Sequence, residues 1–443
     1  MRVVSVAPAG SDHAAWSTYS LGLRPTYVLQ IALTLLVVAN VGRIPVLDLG
    51  DRVAPLLVND LAVGAALATG AIYILGARSL RLNDVALMGF LFACIGGLSA
   101  LSAIPRFGLS GIEILGSLAY LARWMFYFAL YVVIINCVRV GETETLWLTL
   151  ERAMLMIAAF GIVQSIFLPN FAFIVYSNAR VYNDWDPQGH RLVSTILEPN
   201  VASGMLAATL MVQLARIASG VKSAPWKPIV MFAAFVMTIS RGGTFAFLVG
   251  CLVLLAVLGA RKPLLRFGVV LFVLFLPLIP KFIAFGNQYG RFGIGDDSAA
   301  TRVRAWIRAS ETFLEHPWFG IGFNTYGFVQ ERRGFERMGG VSYSTEGGLL
   351  FIAVMTGVVG LAVFLTMLWV AMRRFRRAWR DGRATPSERG LLIGTAAATV
   401  VIFVDTVFVN TLFVPFVMEI LWVLWGISFL IATDLKRRTV AHG

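Results

Sequence analysis

Apolar stretches long enough to cross about 30 Å of hydrocarbon recur from residue 26 to residue 433 of this 443-residue chain. No other feature restricts the fold as strongly. With 58% hydrophobic and 14% charged residues, the chain has too little charge to cover a soluble surface. Lipid is its solvent, so backbone polar groups must be satisfied inside helices. The expected fold is an all-α polytopic membrane protein, one transmembrane domain over 1–443. Spans are predicted near 26–42, 57–77, 85–104, 112–137, 146–168, 199–217, 226–239, 242–260, 264–281, 347–372, 391–413 and 414–433, about twelve helices in all. Residues 282–346 form one long loop with short helices of its own.

Lys and Arg exceed Asp and Glu by 37 − 24 = 13. In a membrane protein such an excess first means cytoplasmic anchoring, and no nucleic-acid partner is implied. The basic residues gather in alternate short loops: Arg78 and Arg81, Arg216 and Lys222, Arg261, Lys262 and Arg266, seven arginines over 373–389, and Lys436-Arg437-Arg438. This pattern predicts cytoplasmic termini, with 169–198 and 282–346 outside. Residues 1–24 lack an apolar core followed by a small-residue cleavage site, so the first span is expected to act as insertion signal. Cys94, Cys137 and Cys251 lie in or beside apolar runs and read as small apolar fillers. The four histidines are scattered, so neither a metal centre nor a cofactor is expected. No internal repeat or inverted pair of broken helices appears.

On this topology the helices beginning near 199, 242 and 347 start at the external face, with open N–H groups and the positive end of the helix dipole. Each follows a polar sequence: Arg191 to Glu198-Pro199-Asn200, with Asn200 as a natural N-cap; Ser240-Arg241-Gly242-Gly243; and Ser342-Tyr343-Ser344-Thr345-Glu346-Gly347-Gly348. Three such ends at one interface would form an anion site, to which Arg191 and Arg241 add bidentate phosphate geometry. Taken singly, each motif is also explained by ordinary capping or by arginine snorkelling.

In the long loop, residues 299–315 read as an amphipathic helix with Val303, Trp306, Ile307 and Leu314 on one side. Arg302 falls at the border beside Trp306. His316, Trp318, Asn324 and Tyr326 are candidate glycan contacts, although aromatic residues at an interface are expected anyway. Arg123 and Asp405 lie deep in spans. Each costs roughly 2.5–3.5 kcal/mol near a helix centre, so a structural intramembrane pair is expected.

At these motifs the chain resembles the O-antigen ligase/polymerase family of bacterial membrane enzymes. The resemblance rests on Arg191…Pro199-Asn200, Ser240-Arg241-Gly242-Gly243, Arg302…Trp306…His316-Pro317-Trp318-Phe319-Gly320-Ile321-Gly322 and Thr356-Gly357-Val358-Val359-Gly360, and covers roughly 190–360. It implies a GT-C-like, metal-independent glycosyltransferase in the inner membrane, active on the periplasmic face. The implied donor is an undecaprenyl-diphosphate-linked glycan and the acceptor a glycan or glycolipid; membrane lipids and other polysaccharide-assembly proteins are candidate partners. Arg191, Arg241, Asn200 and Ser240 would hold the diphosphate, with Glu346 and Arg302 as catalytic candidates. Family ligases carry a His-Asn or His-Ser pair about eleven residues before the Thr-Gly. Here Glu346-Gly347 occupies that place, which favours a polymerase of O-antigen or exopolysaccharide over a ligase that attaches polymer to lipid A-core. A glycolipid exporter or flippase is the rival reading, but its cations would lie deep in several spans, whereas here only Arg123 does.

Overall fold

The computed structural model describes residues 24–48, 53–175, 191–259, 262, 266, 268–269, 297–335 and 347–441. These residues are almost entirely helical: α1 (Pro25–Leu35), α2 (Val58–Ala77), α3 (Asp84–Phe107), α4 (Gly111–Cys137), α5 (Thr143–Phe167), α6 (Phe171–Val175), α7 (Pro199–Ala218), α8 (Trp226–Met237), α9 (Arg241–Leu258), α10 (Asp297–Glu315), α11 (Tyr326–Arg332), α12 (Gly348–Trp379), α13 (Pro386–Asp405) and α14 (Pro415–Ala441). One antiparallel hairpin, Arg43–Asp48 with Val53–Leu57, interrupts the helices. Among the described residues, nine helices are long and apolar enough to cross a membrane, and α1 and α8 are shorter apolar helices. That differs from the twelve spans expected. The spans near 26–42 and 226–239 shrink to 11 and 12 residues, and the one near 264–281 lies largely outside the described residues. The span expected at 391–413 begins earlier and ends at Asp405. Thr385 at the N-cap and Glu388 at N3 form a capping box that flanks Pro386 at N1, so the polar first turn is helical.

α7 is buried nearly all round, and its composition explains why. Eight of its twenty residues are alanine, serine, glycine or threonine, and small side chains let helix backbones approach where burying apolar surface gains nothing over lipid. α13 supplies the complementary face with Gly390 and Gly394, four residues apart. A β-carbon on either would stand 2.6 Å from the α-carbons of Arg216 and Val212 respectively. The two helices therefore run antiparallel in close contact. At one end Arg216 bonds Glu144 of α5 and Ser387 of α13, the latter at 2.9 Å; at the other, Gly204 faces Asp405. The first end, which also receives the arginines after α12, is the basic end. The second is called the rim.

α12 is broken at Gly357, whose φ of 67° and ψ of −170° suit glycine almost alone. The break removes the two helical bonds that would join residues 358 and 359 to 354 and 355. Segment 317–322 of the long loop satisfies all four groups. Val358 N–H donates to Pro317 O (2.7 Å) and Val359 N–H to Trp318 O (3.3 Å), while Ile321 and Gly322 donate to Val354 O (2.9 Å) and Met355 O (3.2 Å). Ser99 of α3 adds its hydroxyl at Phe319 O and Met355 O (2.6 and 2.7 Å). Irregular backbone inside a membrane bundle persists only where protein satisfies it, and here two sequence motifs perform that service for each other. The break lies nine residues into α12, roughly 14 Å from its start.

Candidate active site at the rim

The chain leading into α7 is anchored by side chains from beneath. Gln164 Oε1 accepts the N–H groups of Val193 and Ser194, both at 3.0 Å, and Ser194 Oγ donates to Ile157 O at 2.7 Å. Asn40 Nδ2 donates to Ile196 O at 2.7 Å. These contacts fix Arg191 and Glu198. With Pro199 at N1, the capping position falls on Glu198, whose carboxylate accepts Val201 N–H. The expectation that Asn200 caps this helix is thus corrected; proline at N1 was the signal that locates the cap one residue earlier. Burial pushes the Glu198 carboxyl above its ordinary range, against the opposing pull of Val201 N–H, Arg191 and Asn200.

Asn200 instead joins two helix starts. Its Nδ2 donates to Glu198 (2.8 Å), and its Oδ1 accepts from Arg191 Nη2 (3.2 Å) and Ser240 Oγ (3.1 Å). Ser240 caps α9 by accepting Gly243 N–H at 3.2 Å. Arg191 is only 3% exposed, and its Nε donates to Thr238 O at 2.8 Å. It closes the C-terminal end of α8. Arg241 follows Ser240 and is exposed.

The three expected helix starts do converge, and the turns after α13 are their common contact. Gly204, in the second turn of α7, faces the Asp405 carboxylate; Gly242 of α9 faces Phe408; Gly348 N–H donates to Thr406 O at 2.6 Å. A β-carbon on Gly243 would fall 1.8 Å from Ser203 Oγ, so the starts of α7 and α9 meet only because that residue is glycine. Asp405 is fully buried beside Thr411, within electrostatic range of Glu198 and Arg302. α10 crosses the start of α12: Trp306 Nε1 lies 3.4 Å from where a Gly347 β-carbon would stand, and its ring is 6.5 Å from Phe408. Arg302 is one turn earlier and half-buried, as its position beside Trp306 suggested. Glu346 lies outside the described residues. The arrangement gathers three helix N-termini, an exposed guanidinium and buried carboxylates, which suits an anionic group that gives up charge or a proton.

The glycan-contact candidates fare differently. Tyr326 is 4% exposed, with burial pushing its hydroxyl up to about 12; it is a core residue. Asn324 spends its N–H on Met355 Sδ (2.8 Å), and its carbonyl accepts from Ser117 Oγ (3.3 Å). Trp318 is 69% exposed, and its carbonyl is bound at the α12 break. His316 Nδ1 lies 2.9 Å from Arg106 Nη2. A guanidinium can only donate, so the ring is neutral with its proton on Nε2. Burial, then Arg106 and Arg333, hold its pKa below the usual 6.5. The folded protein therefore binds this proton less readily than the unfolded chain. The stability contributed by neutral His316 is present above pH 6.5 and is lost as pH falls through 6.5 toward the lowered folded value. Arg106→Ala is expected to raise the His316 pKa, measured by NMR of ring-labelled histidine with His316→Gln for assignment; an unchanged titration rejects the contact.

The expected pair of Arg123 with Asp405 does not form. Arg123 Nη2 bonds Asp60 of α2, and Asp60 also accepts from Tyr127 Oη (2.9 Å) and Leu57 N–H (2.8 Å). Asp60 stands at the start of α2, where a carboxylate favours the helix dipole, so it escapes a scan for charges in mid-span. Beside it, Asn59 donates to the buried Glu419 at 2.7 Å. Removing Arg123 strands a buried carboxylate, a loss of about 3–5 kcal/mol. Unfolding in detergent is expected to show strong coupling in an Arg123→Ala/Asp60→Asn double-mutant cycle and additivity in Arg123→Ala/Asp405→Asn. The reverse pattern would restore the original pairing.

Residues 229–365 match the family model described as O-antigen ligase. The resemblance to the O-antigen ligase/polymerase family therefore holds over α9 to the first half of α12, together with most of α8. No curated protein matches the chain.

Proposed function

We propose that this chain is an inner-membrane glycosyltransferase acting at the periplasmic face on undecaprenyl-diphosphate-linked glycans, and that it polymerises surface-polysaccharide repeats. The rim is assigned to the periplasm because the basic residues collect at the opposite end. The observation that carries the reading is the meeting of three helix N-termini on the turn 405–411, with Arg241 exposed beside them. α10 crosses the start of α12 beside these helix starts, which supports a reading of the fold as GT-C-like.

In this reading Arg241 and the open N–H groups at the starts of α9 and α12 hold the diphosphate. The acceptor hydroxyl oxygen attacks the anomeric carbon, the bond from that carbon to the diphosphate breaks, and the diphosphate leaves with the electron pair. Arg241 and the helix dipoles stabilise the charge that develops on it, and transfer in one step would invert the anomeric centre. Glu346 takes the acceptor proton. Arg191 acts by positioning, since its guanidinium fixes the turn that presents Ser240 and Arg241. Arg302 neutralises Asp405 and holds α10 across the rim.

The match to a model described as O-antigen ligase favours a second reading, transfer of finished polymer to lipid A-core. Incubating the purified protein with a lipid-linked repeat unit, alone and with lipid A-core, separates the two. Chain growth without core lipid is expected. Attachment to core lipid alone would move the assignment to ligase, and no bond formation would remove both.

A further inference from the structure

At the basic end, the last turns of α9 and α12 and the first turn of α13 enclose a crevice of about 640 Å³. Arg376, Arg380 and Arg389 line it above a floor of Ala256, Val257 and Trp379. Its one carboxylate, Asp381, is already engaged: Oδ1 accepts from the backbone N–H and Nε of Arg383, both at 3.1 Å. Arg376 and Arg380 are exposed, and Arg389 Nε is buried with no hydrogen-bond partner among the described residues. Basic residues at the end of a helix offset its dipole and anchor it at the membrane surface. That explains the charge, but neither the cavity nor the buried Nε.

The apolar surroundings identify the ligand class. Leu248, Leu252 and Leu255 stand exposed along α9 and lead to Ala256 at the crevice floor. α9 and α12 both pack on α13, so the crevice sits between two helices that share a support. A cationic pocket at helix ends, continuous with an apolar ridge along the span, fits an amphiphile whose phosphate meets the arginines and whose acyl chain follows the ridge.

We propose that this crevice binds the phosphodiester headgroup of an anionic phospholipid, seated between α9 and α12. Its occupancy fixes the spacing of two helices whose opposite ends form the rim.

The test reconstitutes the full chain in phosphatidylcholine vesicles containing a small fraction of photoactivatable phosphatidylglycerol, with adducts mapped by mass spectrometry. Adducts are expected within 252–257 and 376–389, and they should fall about tenfold in the variant R376Q/R380Q/R389Q but not in R377Q, which lies outside the lining. Mapping on the unaltered protein does not depend on how the variants fold. Excess inorganic phosphate is expected not to compete. Full competition would identify a soluble-anion site and overturn the lipid assignment, as would adducts spread evenly over the lipid-facing surface or undiminished in the triple variant.

Discussion

Arg241→Ala is expected to lower glycan transfer by about 10²–10³-fold, the loss seen when one preorganised charge-stabilising donor is removed, without altering thermal unfolding. Arg241 is exposed and stands at N1 of α9, outside the buried core. Arg241→Lys keeps the charge but loses the planar fork, so intermediate activity is expected. Arg191→Ala should behave differently. Its guanidinium is buried and holds Thr238 O and Asn200 Oδ1, and each buried group left without a partner costs about 1–3 kcal/mol. That variant should lose stability and activity together. Turnover of a lipid-linked repeat, measured beside unfolding in detergent, tells the two residues apart. An active Arg241→Ala enzyme would remove the diphosphate-clamp reading, and an Arg191→Ala protein as stable as the parent would return Arg191 to direct ligand contact.

Gly357→Ala is expected to destabilise the protein by more than about 3 kcal/mol, counting a backbone conformation closed to other residues and the bonds lost around it. The added β-carbon would stand 2.1 Å from Trp318 O and 2.5 Å from Phe319 N, both backbone atoms that move only with their segment. Relief would therefore require segment 317–322 to leave the break in α12 and expose four backbone polar groups to an apolar environment. Gly116→Ala, in α4 with open space around it, is the control and should be neutral or slightly stabilising. Melting of the detergent-solubilised variants, with cysteine accessibility at position 321, where Ile321 is buried, provides the readout. A Gly357→Ala protein that melts with the parent and keeps position 321 protected would refute the docking of the two motifs.

The spans were legible wherever hydrophobicity alone sets a helix. α2, α3, α4, α5 and α7 begin and end within a few residues of their predicted limits because a lipid environment forces backbone bonds into the helix. The amphipathic helix expected over 299–315 forms as Asp297–Glu315. Its exposure was not legible: Val303, Ile307 and Leu314 are exposed, since helical periodicity does not say whether an apolar face meets protein. Tyr326 was mistaken for a surface aromatic for a related reason, as hydropathy does not say which loop residues fold into the bundle.

The site divides in the same way. Local chemistry announced the polar starts of α7, α9 and α12, because caps and dipoles depend on neighbours within one turn. Asp405 beside Gly204, the partnership of Arg123 with Asp60, and the meeting of Thr356-Gly357 with His316 to Gly322 depend on contacts between segments far apart in the chain. The sequence by itself determined that this is a helical membrane protein with three polar helix starts, through the length and placement of its apolar runs. Only the tertiary structure decided which buried charges are partners and which loop mends the broken helix. A charge or an open peptide group in lipid is satisfied by whatever packing brings near, and chain order does not record that proximity.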